Sequence, residues 1–81
     1  MDLGTTLQRL RRKYRVDLGL MSFETDISLE RLQDLERGVA KDPPTSHELI
    51  EIREAFPSLT ELELIELETA AVNFERQPSL L

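Results

Sequence analysis

The stretch Val16-Asp17-Leu18-Gly19-Leu20-Met21-Ser22-Phe23-Glu24-Thr25-Asp26-Ile27-Ser28-Leu29-Glu30-Arg31-Leu32-Gln33-Asp34-Leu35-Glu36-Arg37-Gly38 decides how this 81-residue chain folds. Asp17 can cap a short helix that carries Met21 and Thr25 inward with the small Ser22 between them, and Asp26 breaks it. Ser28 is an N-cap for the next helix, which turns Leu32 and Leu35 inward and ends at Gly38, where left-handed backbone is easiest. Two short helices that cross steeply need a small residue where their backbones approach. They also need a turn residue able to leave right-handed helical backbone, and an apolar residue just after the turn. Ser22, Asp26 and Ile27 fill these roles, so the stretch reads as a helix-turn-helix. The free face of its second helix carries Leu29, Glu30, Arg31, Gln33 and Asp34.

Upstream, Leu3, Leu7, Leu10 and Tyr14 recur at helical spacing and place Arg9, Arg12 and Lys13 outside their stripe, which predicts a first helix. Downstream, Lys41-Asp42-Pro43-Pro44 is a turn, since consecutive prolines cannot continue a helix. Thr45 and Glu48 form a capping-box pair that opens a fourth helix with Leu49, Ile52 and Phe56 inward, and Pro57 stops it. A fifth helix starts with either Ser58 and Glu61 or Thr60 and Glu63 and runs over about residues 59–76. Its Leu64, Leu67, Ala71 and Phe74 face the core, while Leu62, Ile65 and Val72 widen the stripe beyond what one small core needs. That excess is read as a dimer or partner surface. Residues 1–76 are expected to form one domain, with 77–81 as a tail.

Composition narrows the function classes. The chain holds no Cys, which excludes disulfides, thiolate metal sites and cysteine nucleophiles. No long apolar run is present and Asp2 interrupts any secretion-signal pattern, so the expectation is a soluble, cytoplasmic chain with no membrane partner. The net charge of −6 is unevenly spread. Residues 1–41 carry eight cations against seven carboxylates, and residues 42–81 carry two against nine. Any meeting with a polyanion belongs to the first half. A solvated acidic helix face accounts for the second half.

From Ile27-Ser28 through Leu35-Glu36-Arg37-Gly38 the chain resembles the segment closing the helix-turn-helix of the Cro and lambda-type repressors, the xenobiotic response element type of helix-turn-helix family. The resemblance reaches back through Leu7, Leu10, Arg11 and Tyr14, and forward through Pro44, Leu49, Ile52 and Phe56. It implies an all-α, compact five-helix, lambda-repressor-like domain that binds double-stranded DNA as a homodimer and regulates transcription, in repressor fashion, by occupying an operator. It also implies a structural ion pair between Arg11 and Glu36, and phosphate contacts from Arg37 and Lys41.

The chain departs from the family where DNA contacts belong. Leu18 stands at the start of helix 2 where a polar residue is usual, Leu29 and Glu30 open the recognition helix, and Asp34 takes another base-facing position. Carboxylates can accept from cytosine N4 but oppose a phosphate backbone, and Leu29 can read only a thymine methyl. Direct readout is therefore expected from Arg31 on guanine and Gln33 on adenine, with Arg12, Lys13 and Arg15 adding attraction. For each of these cations an ordinary solvated side chain is a serious competing reading.

The same departures support an alternative, a helix-turn-helix repurposed to bind protein, such as an antirepressor, a phage inhibitor of a host factor or an antitoxin-like adaptor. Leu18, Leu20, Phe23 and Leu29 would form its apolar contact patch, fringed by Glu30 and Asp34. Cover by the tail Pro78–Leu81, or a shifted helix 2, would remove that patch. An enzyme is not expected, and neither is a cofactor. His47 is the only histidine, reads as a surface residue at a helix start, and is too little for a triad or a metal site. The glutamates show no metal spacing and the three glycines are scattered, so no phosphate-cradling loop exists.

Overall fold

Five helix starts are fixed by side-chain caps, and the computed structural model, which describes residues 2–74, shows each of them. Asp2, Asp17, Ser28, Thr45 and Thr60 each accept a backbone N–H of the first turn. They open α1 (Leu3–Tyr14), α2 (Leu18–Glu24), α3 (Leu29–Arg37), α4 (Ser46–Glu54) and α5 (Glu61–Asn73). Thr45 with Glu48 and Thr60 with Glu63 are complete capping boxes, so α5 starts at the later of its two candidate positions. No strand occurs among the described residues. The expected end of α5 near Arg76 and the tail 77–81 lie outside them.

Helix ends follow equally local rules. At Gly38 the backbone turns left-handed with φ 74°, and the N–H of Val39 returns to the Asp34 carbonyl while that of Gly38 returns to Leu35, a Schellman closure. At the end of α1 the left-handed residue is Arg15, with φ 56°, where a side chain carries a steric cost that glycine avoids. Arg11 supports that bend by donating from Nη1 to the Val16 carbonyl at 3.1 Å.

The core is built from Leu3, Leu7 and Leu10 of α1, Met21 of α2, Ile27 of the turn and Leu32 and Leu35 of α3, with Ile52, Phe56, Leu67 and Ala70 from the C-terminal half. α1 packs against both α3 and α5, α2 against α3, and α4 against α5. Gly4 is where α1 and α3 come closest: a Cβ there would overlap the Glu36 carbonyl oxygen and lie 3.0 Å from that of Leu35. The face that α5 buries differs by a small rotation from the expected one. Glu63, Leu67 and Ala70 are buried, while Leu64, Ala71 and Phe74 are half-buried. Leu62, Ile65 and Val72 stay 66%, 58% and 60% exposed. No helix among the described residues is long and apolar enough to cross a membrane.

Candidate nucleic-acid interface

The unit from Asp17 to Gly38 sets the geometry. α2 ends at Glu24, the turn Thr25–Ser28 follows, and α3 begins at Leu29. The half-buried Ser22 donates its hydroxyl to the Ile27 carbonyl at 3.1 Å, and Thr25 Oγ1 accepts the Ile27 N–H at 3.2 Å. Ile27 itself is buried and anchors the bend. Asp26 stays exposed, and its backbone N–H is held by the Glu51 carboxylate of α4.

α3 is fixed from behind. Leu32 and Leu35 enter the core, and Glu36 is buried against α1, where its carboxylate receives the Arg11 guanidinium through both Nε and Nη2, the latter at 2.8 Å. Hydrogen bonding to Glu36, against a smaller opposing desolvation, raises the Arg11 pKa. Gln8 adds a hydrogen bond to the Glu36 carbonyl at 2.9 Å. This leaves Leu29, Glu30, Gln33 and Arg37 exposed along one stripe, with Asp34 half-buried at its side. Lys41 is exposed just beyond the helix.

Arg31 departs from the expectation of a free base-reading side chain. It is half-buried and makes four hydrogen bonds. Nε and Nη2 grip the Glu48 carboxylate at 3.1 and 3.0 Å, Nη1 donates to the Asp42 carbonyl at 3.2 Å, and Nη2 also reaches the Pro43 carbonyl at 3.0 Å. The physical reason is reach: a long flexible stem lets the guanidinium leave its own helix face and satisfy a carboxylate on α4. Hydrogen bonding to Arg31 in turn holds the Glu48 carboxyl below its ordinary value. Arg31 is thus a latch between α3, the proline turn and α4.

Ion pairing divides the remaining cations. Arg9 meets Glu66, Lys13 meets Glu63 and Arg53 meets Glu68, all linking to α5. Arg12, Arg15, Arg37 and Lys41 are exposed and enter no ion pair among the described residues. Arg12 follows Gln8 by one helical turn and Arg37 adjoins Glu36, so unneutralised positive charge flanks the contact between α1 and the end of α3.

The apolar patch is smaller than expected. Leu18 is half-buried against the core cluster, because the first turn of α2 directs it back toward the body of the domain. Leu20, Phe23 and Leu29 remain 51%, 87% and 42% exposed. α2 keeps the register set by Asp17, with Met21 buried, so no shift of that helix covers them. Cover by Pro78–Leu81 lies outside the described residues.

Two groupings are not apparent from the sequence. Glu63, legible there only as a helix cap, is buried at the junction of α1 and α5. It accepts from Lys13 Nζ at 2.5 Å, the Thr60 N–H at 3.0 Å and the Tyr14 hydroxyl, and these contacts, led by Lys13, hold its carboxyl down to about 2. The second is Asp26, His47 and Glu51, whose ligand atoms lie within 4.8 Å of one another, against the expectation that His47 stands alone. The i, i+4 spacing of His47 and Glu51 is a readable signal for half of it, but Asp26 arrives only through tertiary folding.

Comparison with protein-family models, with curated proteins and with solved structures found no match to this chain.

Proposed function

We propose that the chain is a DNA-binding transcriptional regulator of the Cro and lambda-repressor type, in which residues 17–38 form the helix-turn-helix and two copies occupy an operator. The observation that carries the reading is where unpaired positive charge lies: in a chain of net charge −6, the only exposed cations without an ion pair among the described residues are Arg12 and Arg15 at the end of α1 and Arg37 and Lys41 at and just beyond the end of α3. Arg37 and Lys41 supply phosphate contacts that fix the register. Gln33 reads adenine through its amide, Leu29 meets a thymine methyl, and Glu30 and Asp34 accept from cytosine N4. Arg31 serves as support for α3. α5 is the dimer element, since Leu62, Ile65 and Val72 are exposed while Glu63, Glu66 and Glu68 are neutralised within the chain.

Selection from a random duplex library at physiological salt tests this directly. The expected product is a two-fold-related sequence whose enrichment at one position per half-site disappears in Gln33→Ala. Recovery of no preferred sequence would reject the reading.

The 87% exposure of Phe23 favours a second reading, in which the face formed by Leu20, Phe23 and Leu29 binds a protein and the domain acts as an antirepressor, host-factor inhibitor or antitoxin-like adaptor. Here Leu29→Arg abolishes a complex captured from lysate without altering the fold. A complex that survives this change rules out that surface.

A further inference from the structure

The turn between α2 and α3 brings three side chains of metal-binding type together from distant points of the sequence. His47 Nε2 lies 3.8 Å from Asp26 Oδ2 and 4.0 Å from Glu51 Oε2. His47 and Glu51 are one turn apart on α4, so they project from the same face. Asp26 is brought to them by the turn and kept there by its own backbone N–H, which donates to Glu51 Oε2 at 2.5 Å. Glu51 is the fixed member, with a side chain 18% exposed, whereas His47 and Asp26 are 70% and 84% exposed and neither side chain makes a hydrogen bond among the described residues. Two of the three ligands therefore have no competing partner.

The separations suit a first-row divalent ion. Ligands at zinc-like bond lengths are about 3.4 Å apart around a tetrahedron, so the two distances from His47 must shorten by roughly half an ångström, and the exposed Asp26 side chain, within 4.8 Å of the other two ligand atoms, closes the remainder by rotation. An imidazole with two carboxylates matches borderline cations better than calcium or magnesium, which take oxygen-only sets. The adjoining cleft is lined by Glu24, Thr25, Glu51, Glu54 and Ala55, with no cation among them, so its charge favours a cation.

We propose that Asp26, His47 and Glu51 form a surface site for a borderline divalent cation, with water completing the coordination, and that occupancy pins the α2–α3 turn to α4. Binding to the folded chain alone stabilises it, because the three ligands are separated in the unfolded chain.

Calorimetric titration of the full chain with Zn2+ tests the site, with thermal unfolding measured alongside. The expected result is one Zn2+ per chain, an affinity at least ten-fold weaker in His47→Ala and in Asp26→Asn, and a Zn2+-dependent rise in Tm that His47→Ala abolishes. The exposure of His47 lets the metal-free variant keep the parent Tm, which separates loss of the site from loss of the fold. Zn2+ binding that is absent, or equal in strength in His47→Ala, overturns the proposal. Mg2+ in place of Zn2+ is expected to show no dependence on His47, and the same His47 dependence with Mg2+ would contradict the assignment to borderline cations.

Discussion

Arg31 shows how far a single side chain can move the meaning of a helix face. Helical spacing puts its Cα on the outward side of α3, but its guanidinium is bound to Glu48 and to the carbonyls of Asp42 and Pro43. Arg31→Ala is therefore expected to lower stability by about 1–2 kcal/mol in urea denaturation, the range for a partly exposed, charge-assisted contact. Under the proposed function it should leave any base preference as it was, and a change of preference without loss of stability would return Arg31 to the role of reader. Glu63 gives a prediction in pH. Its folded pKa of about 2 lies below the ordinary carboxylate value of 4.5, so its contribution is complete above pH 4.5 and is lost as pH falls toward 2. Glu63→Gln is expected to be less stable than the parent near neutrality, with the difference shrinking over that window. A constant difference would show that the carboxylate charge is not what matters. Neither role is legible in the sequence, because Glu48 and Glu63 each satisfy a local capping pattern completely, and nothing in a capping box announces a second, long-range partner.

The helices are legible as elements because their starts and stops are local chemistry. Asp17, Ser28 and Thr45 cap where the sequence places caps, and Gly38 ends α3 in left-handed backbone. What stays hidden depends on packing between elements. The left-handed Arg15 is not marked by any glycine, and the burial of Ala70 in preference to Ala71 reflects how α5 rolls onto α1. The closest approach, Gly4 on the carbonyls of Leu35 and Glu36, belongs to this class. Gly4→Ala forces α1 and α3 apart at the point where Gln8 and Arg11 also join them, and a loss of about 1–3 kcal/mol is expected from the overpacking. Equal or greater stability in chemical denaturation would show that α1 can shift without cost. Because Arg11 and Glu36 orient α3 from behind, Gly4→Ala should also weaken the proposed DNA contact.

For the molecule as a whole, folding sorts charge that the sequence leaves interleaved. Three acidic residues of α5 are neutralised by Arg9, Lys13 and Arg53, so the acidic second half presents less negative charge than its composition suggests. Leu62, Ile65 and Val72 are the large apolar side chains this helix leaves exposed, with Glu61 exposed one turn from Ile65. Light scattering should show a dimer that Ile65→Glu converts to monomer, and a monomeric parent at high concentration would remove α5 from the proposed assembly. Arg37 and Lys41 remain without an ion pair at the end of α3, where the proposed DNA contact needs positive charge, while Glu30 and Asp34 of the same helix are unpaired as well. The most direct measurement is the affinity for a selected duplex as a function of salt, made in parallel on the parent and on Arg37→Ala. Log affinity is expected to fall linearly with log salt, and the slope of the variant should be shallower by roughly 0.9 for each phosphate it no longer neutralises. Binding that does not respond to salt, or an identical slope in Arg37→Ala, would contradict the claim that this face meets a phosphate backbone.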